Sequence, residues 1–212
     1  MYISICGNTG AGKSTLGAFL ANALGSLFPV SYVDEKLFHH SLLQKMFDCP
    51  CEYAFLMQMN FLLQRVLKIK YLEKSGAVFV MERSLCEDAI FAFRHHELGE
   101  ISDSEFAVYT AFLHACQAMV PAPLGYVYLS CEDPAILTNR VIQGYKARKR
   151  NKELPDDKLY EFVDDLNARY NTWFEGLDAK KLRMPILTCE PSSSQESIEI
   201  VRFCERLLHE KL

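Results

Sequence analysis

The sequence predicts an α/β fold: a doubly wound, five-stranded parallel sheet flanked by helices. Three observations predict it. Short apolar runs recur at Tyr2–Cys6, Pro29–Val33, Ala77–Met81, Tyr126–Leu129 and Pro185–Thr188. Between them lie segments of helical period, over 13–25, 52–74, 85–97, 103–119, 133–145 and 156–174, with a last one near 195–210. A glycine-rich turn, Gly7-Asn8-Thr9-Gly10-Ala11-Gly12-Lys13-Ser14-Thr15, joins the first apolar run to the first helix. Short buried strands alternating with helices call for a parallel sheet covered on both faces.

Taken in order, the elements carry their own punctuation. The first strand ends in the glycine turn, which opens the helix from Lys13. Asp103 and Asp133 stand where helix N-caps are expected, and Pro134 suits a first helical position. Pro191-Ser192-Ser193-Ser194 is a loop of low complexity before the last helix. No repeat and no linker divides the 212 residues, so one domain, 1–212, is expected.

The spacing Gly-x4-Gly-Lys-Ser is that of a P-loop, and strand, loop and helix follow in the order it requires. Glycines keep side chains away, so successive backbone N–H groups turn toward phosphate oxygens, and the positive end of the next helix adds to that field. Residues Gly7, Asn8, Thr9, Gly10, Ala11, Gly12, Lys13, Ser14 and Thr15 are therefore expected to hold ATP. Lys13 reaches the outer phosphates, and the Ser14 hydroxyl sits on Mg²⁺.

Ligands of such sheets gather at the carboxyl ends of the strands. Asp34-Glu35 follows the second strand, and Glu82-Arg83-Ser84 follows the third. A carboxylate at that place beside a P-loop suits Mg²⁺, which assigns Glu82 to the metal. The Arg83 guanidinium offers a planar fork for phosphate oxygens. Glu35 fits a general base toward an acceptor hydroxyl.

Composition narrows the partners. A net charge of −4 gives no overall basic field for a nucleic-acid polymer. No uninterrupted apolar stretch reaches spanning length, and the chain opens directly on a strand, so neither a membrane nor a secretory signal is expected and the location reads as cytoplasmic. The eight cysteines are scattered, as reduced thiols rather than a disulfide framework would be.

At this point the residues resemble a family, the deoxynucleoside kinases of the deoxycytidine, deoxyguanosine and bacterial deoxyadenosine group. Besides Gly7–Thr15, three features carry the likeness. Ala54-Phe55-Leu56-Met57-Gln58, followed by Phe61-Leu62 and Arg65, resembles the family's helix that faces the acceptor base. Glu82-Arg83-Ser84 with Asp88 matches its ERS motif, and Arg148-Lys149-Arg150-Asn151-Lys152-Glu153 matches its lid pattern R-x-R-x-x-E. The resemblance implies a P-loop kinase fold with a short Arg-rich lid at about 144–156, transfer of the ATP γ-phosphate to a deoxynucleoside 5′-hydroxyl, and a role in nucleotide salvage. It implies that Gln58 reads the base edge, and that Arg65 and Asp88 pair beside it, as with purine or cytosine acceptors. It further implies that Met57 and Phe47 line the acceptor, that Arg148 and Arg150 close on the donor phosphates, and that Glu153 orients the lid or touches the sugar. Relatives are commonly homodimers through the helices near 52–74 and 85–119. On spacing alone, Gln58 and Arg65 also read as a polar stripe on a surface helix, and Met57, Phe61 and Leu62 as core.

The chain departs from the family pattern at four places. Glu35 precedes Lys36, where the family has proline. Phe47 stands eleven residues before Gln58, where a tyrosine usually donates to the sugar 3′-hydroxyl. The helix between Arg140 and Arg148 is about one turn longer, leaving Arg140 as the nearest match for a further lid arginine. The stretch Ala89-Ile90-Phe91-Ala92-Phe93 is one residue short, so the residue stacking on the base stays open between Phe91 and a neighbour.

Two other functions fit parts of the pattern. A thymidylate-kinase-like nucleoside monophosphate kinase shares the P-loop and a strand-end acid–arginine motif, but needs extra cations for the acceptor's own phosphate. A non-catalytic nucleotide-binding module needs only the loop. The leading expectation is that Glu35, Arg83 and Lys13 converge on one cavity, with Gln58 on its far wall.

Overall fold

The computed structural model describes residues 1–35, 40–147 and 154–211. Five strands, β1 (Tyr2–Cys6), β2 (Val30–Val33), β3 (Val78–Glu82), β4 (Tyr126–Ser130) and β5 (Lys181–Pro185), form one sheet in the order β2-β3-β1-β4-β5. Every pairing is parallel. The described helices are α1 (Lys13–Leu24), α2 (His40–Asp48), α3 (Pro50–Glu73), α4 (Leu85–Glu97), α5 (Asp103–Met119), α6 (Pro134–Ala147), α7 (Asp156–Glu175) and α8 (Gln195–His209), with a 3₁₀ turn at Pro191–Ser193.

Packing divides the described chain into two compact units. The first holds Met1–Glu35, Gly76–Arg83 and the described residues from Pro123 onward, and so contains the whole sheet with α1, α6, α7 and α8. Here β1 is central and buried on both faces, as its continuous apolar run requires. Ile3, Ile5, Val78, Val80, Val127 and Leu129 meet Leu16, Leu20 and Leu24 of α1 in one core, which α8 joins through Ile200, Cys204, Leu207 and Leu208. The 200/204/207/208 spacing is one face of a helix. Ser194 starts α8 by accepting a hydrogen bond from the Ser197 N–H at 3.3 Å.

The second unit holds the described residues between 40 and 75 together with Ser84–Ala122, and is entirely helical. Met46, Ala54, Met57 and Ile101 form one buried cluster in it, against which Phe47, Phe55 and Phe61 pack. Ser102 caps α5: its hydroxyl accepts from the Glu105 N–H, and the Glu105 carboxylate accepts from the Ser102 N–H at 2.9 Å. Asp103, expected as the cap, is thus the first helical residue. Asp133 does cap α6, accepting from the Ala135 N–H at 2.9 Å.

Two elements differ from expectation. The last strand covers Lys181–Pro185 rather than Pro185–Thr188. It is an edge strand, and its cations hide it from an apolar search: Lys181 lies 5.2 Å over the Phe174 ring and Arg183 5.4 Å over Tyr128. Helix α2 was not anticipated, because its nine residues are too short and too mixed to show a period. All eight cysteines are free thiols. Burial pushes the Cys204 thiol up to about 12, which suits a residue used as core packing.

Candidate active site

The first unit presents the phosphate cradle at the carboxyl end of β1, where the strand order departs to either side. Gly10 (φ +78°) and Gly12 (φ +95°) take left-handed conformations. A Cβ on Gly10 would also lie 2.6 Å from the Leu137 carbonyl oxygen, so the loop can pass there only without a side chain. Asn8 is buried and anchors the loop: its Nδ2 donates to the Val163 carbonyl of α7 at 2.8 Å, and its Oδ1 accepts from the Thr9 N–H at 2.8 Å. Lys13 Nζ donates to the carbonyls of Gly7 and Asn8, each at 2.9 Å, which holds the ammonium against the loop. Ser14 and Thr15 are exposed at the start of α1.

Arg140 belongs to this neighbourhood. Its Nη1 lies 3.9 Å from where a Gly12 Cβ would stand, and its Nη2 donates to the Leu187 carbonyl at 2.6 Å. Arg148, Arg150 and Glu153 lie outside the described residues.

Strand register brings the acidic motif to the same end. Ile5 of β1 pairs with Glu82 of β3, and the Arg83 N–H donates to the Ile5 carbonyl at 2.9 Å. Arg83 is the one non-glycine residue with positive φ among the described residues, at 63°. Such a state costs of order 1–3 kcal/mol and persists where surrounding contacts over-determine it. Those contacts are visible. Arg83 is buried, its Nε lies 2.5 Å from Glu35 Oε1, and its Nη1 donates to the Tyr170 hydroxyl. Tyr170 is fully buried on α7 and stacks on Tyr128, with ring centroids 6.1 Å apart and planes 9° apart. Glu82 is buried and accepts a hydrogen bond from the Tyr32 hydroxyl. Burial first, then the Glu82 hydrogen bond and charge, push the Tyr32 phenol well up, while the Ser14 hydroxyl opposes the shift.

In the second unit, α3 and α4 form a different polar cluster. Arg65 Nε donates to Asp88 Oδ2 at 2.6 Å and its Nη2 to Asp88 Oδ1 at 2.8 Å, a bidentate pair with both side chains buried. Ser84 caps α4 by accepting from the Glu87 N–H at 3.3 Å, which sets Asp88 in the helix's first turn. Gln58 is buried, with Nε2 3.9 Å from the Met46 sulfur. Met57 is core, and Phe47 packs half-buried against the same cluster. Tyr109 of α5 is buried beside this pair. Burial and then the Asp88 charge raise its phenol, and its hydroxyl has no hydrogen-bond partner among the described residues.

The structure thus joins Glu35 to Arg83, and Arg65 to Asp88. Sequence reasoning missed Tyr32 and Tyr170, whose partners lie 50 and 87 residues away in the chain. Neither carries a local motif.

Fold and loop define a P-loop nucleotide-binding protein. The family model for deoxynucleoside kinases matches residues 3–208, and the chain belongs to that family. It is similar to a deoxyadenosine/deoxycytidine kinase of Bacillus subtilis, 31% identical over 201 residues that cover 93% of this chain and 88% of the relative. It is 27% identical to a deoxyguanosine kinase of Lactobacillus johnsonii, over 83% of this chain and 77% of that one. Among solved structures, a deoxyadenosine kinase from M. mycoides with products dCMP and a flexible dCDP bound superposes with a TM-score of 0.76, at 21% identity, over 97% of this chain and 100% of its own. The P-loop kinase fold and an ATP-dependent phosphotransferase activity follow.

Proposed function

We propose that this kinase transfers the γ-phosphate of Mg-ATP to the 5′-hydroxyl of a purine deoxynucleoside or deoxycytidine, as a salvage enzyme of the cytoplasm working as one domain over 1–212. The observation that carries the reading is the 2.5 Å contact of Glu35 with Arg83, at strand ends next to the phosphate loop. A carboxylate and a guanidinium are thereby held together where an acceptor hydroxyl and a moving phosphoryl group need a base and a cation.

In this reading Gly7–Thr15 cradles the donor phosphates, and Glu35 takes the proton of the 5′-hydroxyl as its oxygen attacks the γ-phosphorus. Lys13 and Arg83 neutralise the transferring group, and ADP leaves. Arg148 and Arg150 would close on the phosphates, and Glu153 would orient them. Ser14 and Glu82 would hold Mg²⁺. The fit is supported by their chemistry: a hydroxyl and a carboxylate are hard oxygen donors, with Ser14 exposed at the start of α1 and Glu82 at the carboxyl end of the adjacent strand β3. When bound, the ion screens charge on the β- and γ-phosphates.

Gln58 would read the base edge through its amide, with Arg65–Asp88 fixing the polarity beside it and Met57 and Phe47 packing on the acceptor. The two named relatives act on purine deoxynucleosides or deoxycytidine, which agrees with this assignment. A homodimer is proposed through the second unit. There Leu56, Leu63, Leu67 and Tyr71 make an exposed apolar stripe along α3, and Val108 and Met119 are exposed on α5, which packs against it. No described helix is long and apolar enough to cross a membrane.

Incubation with Mg-ATP and each deoxynucleoside in turn tests the reading. It predicts 5′-monophosphate from deoxyadenosine, deoxyguanosine or deoxycytidine. Product only from dTMP would instead favour a monophosphate kinase, and ATP binding with no product from any acceptor a non-catalytic module.

A further inference from the structure

The register of β2 against β3 pairs Tyr32 with Val80, and Glu82 lies two residues further along the same face of β3. Diagonal neighbours of this kind stand within reach of an aromatic side chain. The Tyr32 ring is also confined from the helix side. A Cβ on Gly17, in the middle of α1, would lie 2.4 Å from Tyr32 Cε2 and 2.6 Å from Cδ2. A glycine inside a helix costs about 1 kcal/mol relative to alanine, so its use here has a packing reason: the ring lies directly against the α1 backbone. Clamped between α1 and the sheet, the ring has little freedom to swing, and its hydroxyl is delivered to the Glu82 carboxylate.

We infer that Tyr32 is a positioning residue of the metal subsite: seated against Gly17, its hydroxyl holds Glu82 in the orientation from which the carboxylate meets Mg²⁺. The inference rests on the reading of Ser14 and Glu82 as the metal pair. Outer partners of ligating carboxylates fix their direction, and losing one costs typically about 10–100-fold in metal affinity.

The test is the tightening of ATP binding by Mg²⁺, measured calorimetrically on the full chain as the ratio of ATP Kd in EDTA to that in saturating Mg²⁺. Tyr32→Phe keeps the ring and removes only the hydroxyl. It is expected to leave the EDTA value within about twofold and to cut the Mg²⁺-dependent tightening by about tenfold. Glu82→Gln cuts the tightening as well, and the double variant falls no further than Glu82→Gln alone, because both changes act on one group. If Glu82→Gln loses the tightening while Tyr32→Phe keeps it, the role of Tyr32 is overturned and the metal pair stands. If both keep it, the metal reading of Glu82 fails, and the inference with it. A merely structural tyrosine would lower the melting temperature of Tyr32→Phe and leave the ratio unmoved.

Discussion

Two buried arginines stand at the centre of the proposed chemistry, and they are held in different ways. Arg83 is anchored by a carboxylate and a phenol at a strand end, with a backbone state that favours glycine. Arg65 is locked in a two-point pair with Asp88 inside a helical unit. Removing one member of such a pair strands the other as a buried charge, which costs roughly 3–5 kcal/mol, whereas an apolar replacement of both is near neutral. Arg65→Met alone is therefore expected to lower unfolding free energy by that amount in denaturant titration. Arg65→Met with Asp88→Leu recovers most of it. The double variant separates stability from recognition: its relative kcat/KM for deoxyadenosine, deoxyguanosine and deoxycytidine should change. Unchanged selectivity in a stable double variant would assign the pair to packing.

At the level of elements, α1 does two jobs. It delivers the phosphate loop, and its Gly17 makes room for the Tyr32 ring. Gly17→Ala improves helix propensity by about 1 kcal/mol, yet places a methyl where two ring carbons stand. The expected outcome is a lower melting temperature together with a weakened Mg²⁺ effect on ATP binding, since the ring must shift. A more stable protein with an unaltered Mg²⁺ effect would show that the ring is not clamped. This element also marks how far the sequence could be read. The P-loop, β1, β3 and α5 were legible, because each is local: a fixed glycine spacing, a buried apolar run, a long period. Strand β5 was misplaced, since an edge strand with Lys181 and Arg183 shows no apolar run, and α2 was missed for want of length. Glu35, Arg83, Arg65 and Asp88 could be named from motif and resemblance, but their pairing is set by strand and helix packing. Tyr32 and Tyr170 had no signal in the sequence, because what makes them matter is a partner many residues distant.

For the molecule as a whole, phosphoryl transfer demands little covalent work from the protein and much positioning. The chain answers with a sheet whose central strand β1 ends in the phosphate loop, with Glu82-Arg83 at the end of the neighbouring β3 and Glu35 just after β2 beyond it. Family membership establishes the kind of reaction. The central proposal is that Glu35, followed here by Lys36 rather than proline, takes the acceptor's proton. Single-turnover formation of the 5′-monophosphate from the best acceptor, compared between the natural protein and Glu35→Gln, tests that assignment most directly. The account predicts a rate lower by about 10²–10⁴-fold, with acceptor and ATP affinities kept within a few-fold. An undiminished rate in Glu35→Gln would contradict it.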